Sequence, residues 1–95
     1  MSLYLLHFDR PLGHAAHYLG FANSEAMIPL RIEHHRKGNG ARLMAAVVQA
    51  GIDFELVRIW PEGSRVEERR LKAHGSPRYC PKCNPGWQTR GKVPR

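Results

Sequence analysis

Residues 3–22 read LYLLHFDRPLGHAAHYLGFA, and this stretch decides the fold. Leu3 to Phe8 has strand character, with Tyr4, Leu6 and Phe8 on one face and Leu3, Leu5 and His7 on the other. Asp9-Arg10-Pro11-Leu12-Gly13 is turn chemistry, because Pro fixes φ and Gly relieves the turn. Ala16 to Ala22 is the returning strand, and the short connection makes the pair an antiparallel hairpin. A pairing centred near Pro11 sets Tyr4 opposite or diagonal to Tyr18, so that two tyrosines emerge side by side on one sheet face.

Downstream of the hairpin, Asn23 to Ile28 is irregular and Pro29 suits the first turn of a helix, where its missing N–H costs nothing. The pattern predicts a helix from Pro29 to Lys37, stopped by Gly38-Asn39-Gly40, with Arg31 and His35 four apart on one face. A second, apolar helix spans Ala41 to Ala50, with Gly51 as its stop. Asp53 to Trp60 is rich in β-formers and ends at Pro61 and Gly63. Ser64-Arg65-Val66-Glu67 then matches a capping box and opens a helix running to about His74. The expected class is α+β, order β-β-α-α-β-α, a three-stranded antiparallel sheet with helices against one face.

Ninety-five residues suffice for one domain. It is expected over residues 1–84, with a basic, flexible tail at 85–95. No apolar run is long enough to span a bilayer and no signal peptide is visible, so a cytoplasmic location without a membrane partner is expected. Fifteen Lys and Arg against eight Asp and Glu give a net charge of +7, which favours a polyanionic partner such as nucleic acid.

Two-metal phosphodiester chemistry needs several convergent carboxylates. The acidic residues here form no convincing pair: Asp53 and Glu55 share a strand face, but Leu56 and Val57 follow where a Lys is wanted. Glu67 is explained by the capping box, which leaves Glu68 without a structural task. Glu68 lies three residues before Leu71, so a Leu71 facing the sheet holds Glu68 at its edge. The plainer alternative is a surface ion pair between Glu68 and Lys72 at i, i+4. Arg31 supplies a permanent cation with phosphate-matching geometry, and His35 a base titrating near neutrality. Cys80-Pro81-Lys82-Cys83 is too close-spaced for a disulfide framework. It points to weak Zn²⁺ binding by Cys80 and Cys83, with a His such as His74, or to unligated thiols.

These residues match a pattern. Leu3-Tyr4-Leu5 followed by Tyr18-Leu19-Gly20 resembles the paired tripeptides that name the GIY-YIG endonuclease superfamily, with Leu in place of Gly and Ile. The segment around Arg31 and His35, then Gly38 to Leu43, Arg58 to Pro61, Glu68 to Lys72 and Pro77 to Cys83 are similar to a small prokaryotic and phage branch of it. The resemblance implies a metal-dependent endonuclease hydrolysing DNA phosphodiesters. In it Tyr4 acts as general base or water-positioning group, Tyr18 hydrogen-bonds within the site and Arg31 stabilises phosphate charge. Glu68 holds one Mg²⁺ or Mn²⁺, and His35 replaces or assists Tyr4 as base. Arg36, Lys37, Arg42, Arg69, Arg70 and Lys72 would contact backbone phosphates.

RNA remains an alternative polymer, and specificity would come from DNA shape, a homodimer or a partner protein. Two readings of other classes stand beside this one: a non-catalytic basic nucleic-acid-binding module on the same fold, and a small zinc-knuckle interaction protein.

Overall fold

Strand β1 (Ser2–Leu12) is the middle of a three-stranded antiparallel sheet of order β2-β1-β3, with β2 at Ala15–Ala22 and β3 at Phe54–Trp60. The structure is a computed structural model and describes residues 1–74 and 80. The expected 85–95 tail and Cys83 lie outside the described residues. A 3-10 turn at Glu25–Met27 leads into α1 (Ile28–Arg36), followed by α2 (Arg42–Gln49), β3 and α3 (Arg65–His74). The fold is α+β in the order β-β-α-α-β-α. Among the described residues no helix is long and apolar enough to cross a membrane.

The hairpin differs from the expected one in where it turns. Asp9 to Leu12 continue β1, and the reversal falls at Gly13-His14, with Leu12 paired to Ala15. Gly13 has φ +61°, the left-handed value a two-residue hairpin loop needs at its first central position. The turn-forming Asp9, Arg10 and Pro11 are accommodated by a register shift between His7 and Leu12, where the β1–β2 ladder is irregular. Tyr4 consequently pairs with Gly20 and Leu6 with Tyr18, so the tyrosines are diagonal neighbours on one face.

Both sheet faces are covered, which corrects the expectation of helices on one face only. Tyr4, Leu6, Phe8, Phe54 and Ile59 pack with Ile28 of α1 and with Met44 and Val47 of α2. On the opposite face Leu3, Leu5, Leu19, Val57 and Trp60 pack with Leu71 of α3 and with Cys80. Leu3 and Leu5 are 0% and 1% exposed, and two leucines of that kind left bare would each forgo roughly 1.5–3 kcal/mol of burial. A bulge in β3 serves both layers: Leu5 pairs with Arg58 and Leu6 with Leu56, leaving Val57 as the extra residue.

Helix α3 begins as its sequence predicts. Ser64 Oγ accepts from the Glu67 backbone N–H at 3.1 Å, and the Ser64 carbonyl accepts from that of Glu68 at 2.8 Å.

Candidate active site

Tyr4 is the hub of a polar cluster inside the α1–α2 face of the sheet. Its hydroxyl is 2.8 Å from His35 Nε2, although the two residues are 31 apart in sequence. Its ring centroid lies 6.3 Å from that of Tyr18, and the Tyr18 and His35 rings meet edge to face at 5.3 Å. Arg31 hydrogen-bonds the Tyr4 side chain from one turn earlier on α1. Register and helical period produce the cluster. Tyr4 and Tyr18 are diagonal across β1 and β2, and Arg31 and His35 share the α1 face turned toward them.

Two glycines make room for it. A Cβ at Gly20 would collide with the ring and hydroxyl of Tyr4, so the phenol lies across the Gly20 backbone. Gly40 has φ +86°, and a Cβ there would stand 2.9 Å from His35 Nδ1.

The electrostatics keep this cluster neutral except at Arg31. Burial pushes the Tyr4 phenol above its usual range and neighbouring Tyr18 adds to this, while Arg31 opposes both. Tyr18 is also raised, by burial first; Arg31 opposes the shift and Glu68 reinforces it. His35 is lowered by burial, with the Asn39 backbone acting against this and Arg31 and His34 adding to it. His35 is therefore a neutral imidazole at pH 7. The Tyr4 hydroxyl and His35 Nε2 share one buried hydrogen bond, whose direction is set by the tautomer of the neutral imidazole. Arg31 Nε is buried and has no hydrogen-bond partner.

Glu68 is the outlying member. It stands close enough to Tyr18 to raise its pKa, and its side chain is 18% exposed. The ion pair with Lys72 also forms, at a loose 3.9 Å. The chemistry of this donor suits Mg²⁺, which takes one or two carboxylates and completes its shell with water and substrate oxygens.

The expected phosphate-contacting cations divide between two layers, Arg36, Lys37 and Arg42 with α1–α2 and Arg69, Arg70 and Lys72 on α3. Arg36 is already engaged: it pairs with Asp53 at 3.1 Å, donates to the Phe54 carbonyl at 3.1 Å and stacks 4.5 Å over the Phe54 ring. Lys37, Arg42, Arg69 and Arg70 are exposed.

A second cluster lies on the opposite face. His7 and His17 pair across β1 and β2, and Cys80 Sγ is 3.4 Å from His7 Nδ1. Cys80 thus meets histidines that sequence reading did not connect with it, and the side chain of His74, the expected partner, is outside the described residues. The missed signal was register: a hairpin centred one residue later, near Leu12, puts His7 opposite His17. Comparison with known protein families, curated proteins and solved structures finds no match.

Proposed function

We propose that this chain is a metal-dependent endonuclease that hydrolyses phosphodiester bonds in DNA, acting in the cytoplasm. The observation that supports this reading is convergence: the rings of Tyr4, Tyr18 and His35 meet, Arg31 bonds to Tyr4, and Arg31 and Glu68 both act electrostatically on Tyr18. Phosphodiester hydrolysis needs charge compensation at the non-bridging oxygens, an acceptor for a water proton and stabilisation of the departing oxyanion. Arg31 serves the first need, with a buried Nε that has a proton to donate and no acceptor. Glu68 would hold Mg²⁺ or Mn²⁺, which supplies a counter-charge at the leaving oxygen.

The base is shared between two residues. Tyrosine, with an ordinary pKa near ~10, is a poor proton acceptor at neutral pH, and burial makes it poorer. Neutral His35 takes the phenolic proton at Nε2 while the Tyr4 oxygen takes one from water, so the basicity belongs to His35 and the contact to Tyr4. Tyr4 is 0% exposed. A phosphate that draws the Arg31 guanidinium onto itself uncovers the Tyr4 oxygen, which links substrate binding to activation of the base. The surrounding cations Lys37, Arg42, Arg69 and Arg70 supply sequence-independent attraction to DNA, or to RNA, and specificity falls to polymer shape, a homodimer or a partner protein.

The enclosure of Tyr4 and His35, at 0% and 1% exposure, also favours a second reading: a binding module in which the pair is a satisfied polar element of the core. Incubating the purified chain with plasmid and branched DNA in Mg²⁺ or Mn²⁺ separates the two. The nuclease reading expects nicking that is lost in Glu68→Gln and Arg31→Ala with the fold retained. Undiminished nicking by Glu68→Gln removes the metal assignment, and salt-sensitive binding without cleavage by the wild type selects the module.

A further inference from the structure

The pairing of β1 with β2 sets two imidazoles side by side on the sheet face that carries no part of the tyrosine cluster. His7 Nδ1 lies 3.1 Å from His17 Nε2, and the ring centroids are 5.0 Å apart. The Sγ of Cys80 lies 3.4 Å from the same His7 Nδ1, so one atom of His7 faces both other groups. All three ligand atoms fall within 4.8 Å of one another.

Ordinary packing explains this poorly. His7 Nδ1 can make one good hydrogen bond and here meets two candidates, one a weakly bonding sulfur. A tetrahedral ion explains it directly. Zn–N near 2.0–2.1 Å and Zn–S near 2.3 Å give ligand-to-ligand edges of roughly 3.3 Å for N–N and 3.5 Å for N–S. The observed 3.1 and 3.4 Å are close to those edges. The third edge, no longer than 4.8 Å, then closes by small rotations of side chains.

We infer that His7, His17 and Cys80 form a structural Zn²⁺ site on the α3 face of the sheet, separate from the tyrosine cluster and independent of the nuclease reading. Two neutral imidazoles and a thiolate bind the ion, and the Cys80 thiol releases its proton to solvent on binding. The net charge of the loaded site is +1, with a fourth position left for water or another side chain. His17 and Cys80 are 7% and 0% exposed, which suits an ion that holds structure together. The ion fastens the chain beyond α3 to the hairpin at the opposite end of the sequence, a closure the apolar contacts of Cys80 alone secure weakly.

The test uses the full chain. Metal analysis of protein purified without chelator is expected to give one zinc per chain, and chelation to lower the melting temperature by at least about 5 °C. Co²⁺ added to the stripped protein is expected to give tetrahedral ligand-field bands and a thiolate charge-transfer band. The charge-transfer band should vanish in Cys80→Ser, and the ligand-field bands should collapse in His7→Gln and His17→Gln. X-ray absorption on the zinc-loaded wild type counts ligands without any variant having to fold: two imidazoles and one sulfur in the first shell support the site. A wild type that holds no zinc, or a first shell without imidazole, overturns it.

Discussion

The Tyr4 phenol lies across the backbone of Gly20, its partner on β2, with no space for a β-carbon between them. The last residue of the Tyr18-Leu19-Gly20 tripeptide is thereby explained through the tyrosine of the other strand. Gly20→Ala is expected to cost about 1–3 kcal/mol by overpacking, read as a lower urea midpoint at unchanged slope. In a Tyr4→Leu background the same substitution should cost markedly less. An equal cost in both backgrounds would show that the close approach does not matter.

Tyr4 and His35 should be energetically coupled. Tyr4→Phe leaves His35 Nε2 buried without its partner, at about 1–3 kcal/mol, and His35→Phe removes the hydrogen-bond partner of the Tyr4 hydroxyl at a similar cost. The double variant is expected to lose less than the sum, because neither polar atom is then stranded. Denaturation of the four proteins closes the cycle, and strict additivity would contradict the hydrogen bond.

His35 also sets a pH dependence. Its folded pKa is held below the ordinary 6.5, so between those two values the unfolded chain binds more protons than the folded one. Stability from the neutral ring is fully present above about 6.5 and is lost as pH falls from there toward the lowered folded value. His17, lowered to about 4 by burial and by His7, slopes the same way in the metal-free chain. The readout is therefore the difference between wild type and His35→Gln: melting temperature against pH should be flatter in the variant on the acid side. Parallel curves would contradict a neutral buried His35.

Cations already satisfied within the protein should matter least for polyanion binding. Arg69→Ala or Arg42→Ala is expected to lower the slope of log affinity against log salt by about 0.9 for each phosphate no longer neutralised. Arg36→Ala should change that slope less, since its guanidinium serves Asp53 and Phe54, and should act mainly on stability. Fluorescence anisotropy with a labelled duplex across a salt series measures both. A drop of a full unit with Arg36→Ala would mean that Arg36 leaves Asp53 for the nucleic acid.

Much of the fold was legible because its signals are local. Pro29, Gly38, Gly51, Pro61 and the Ser64 cap bound their elements to within one or two residues. What escaped was set by pairing at a distance. Asp9 and Pro11 have turn chemistry, yet an irregular ladder carries the strand past them to Gly13. The two covered faces could have been suspected from Leu3-Tyr4-Leu5-Leu6, a run apolar on both phases of the strand, which is how doubly buried strands are composed. The polar cluster was half legible: the four-residue spacing of Arg31 and His35 gave a shared face, but their meeting with Tyr4 depends on how α1 packs. The His7–His17 pair was invisible until the register was known, since moving the hairpin centre by a single residue changes every cross-strand partner.

The surplus residue in β3 has a consequence for how this chain tolerates changes in length. On either side of Val57 the β1–β3 partners run in perfect antiparallel step, offset from each other by one position. Excising Val57 would bring the two halves into a single uninterrupted ladder, so that the remaining residues of the strand keep their neighbours and their side of the sheet. An excision at Leu5, in the central strand, would throw the pairings on both flanks out of phase together. At this bulge the length of the strand can vary without scrambling which residues face which layer, and it lies in an outer strand, away from the hairpin that carries Tyr4 and Tyr18.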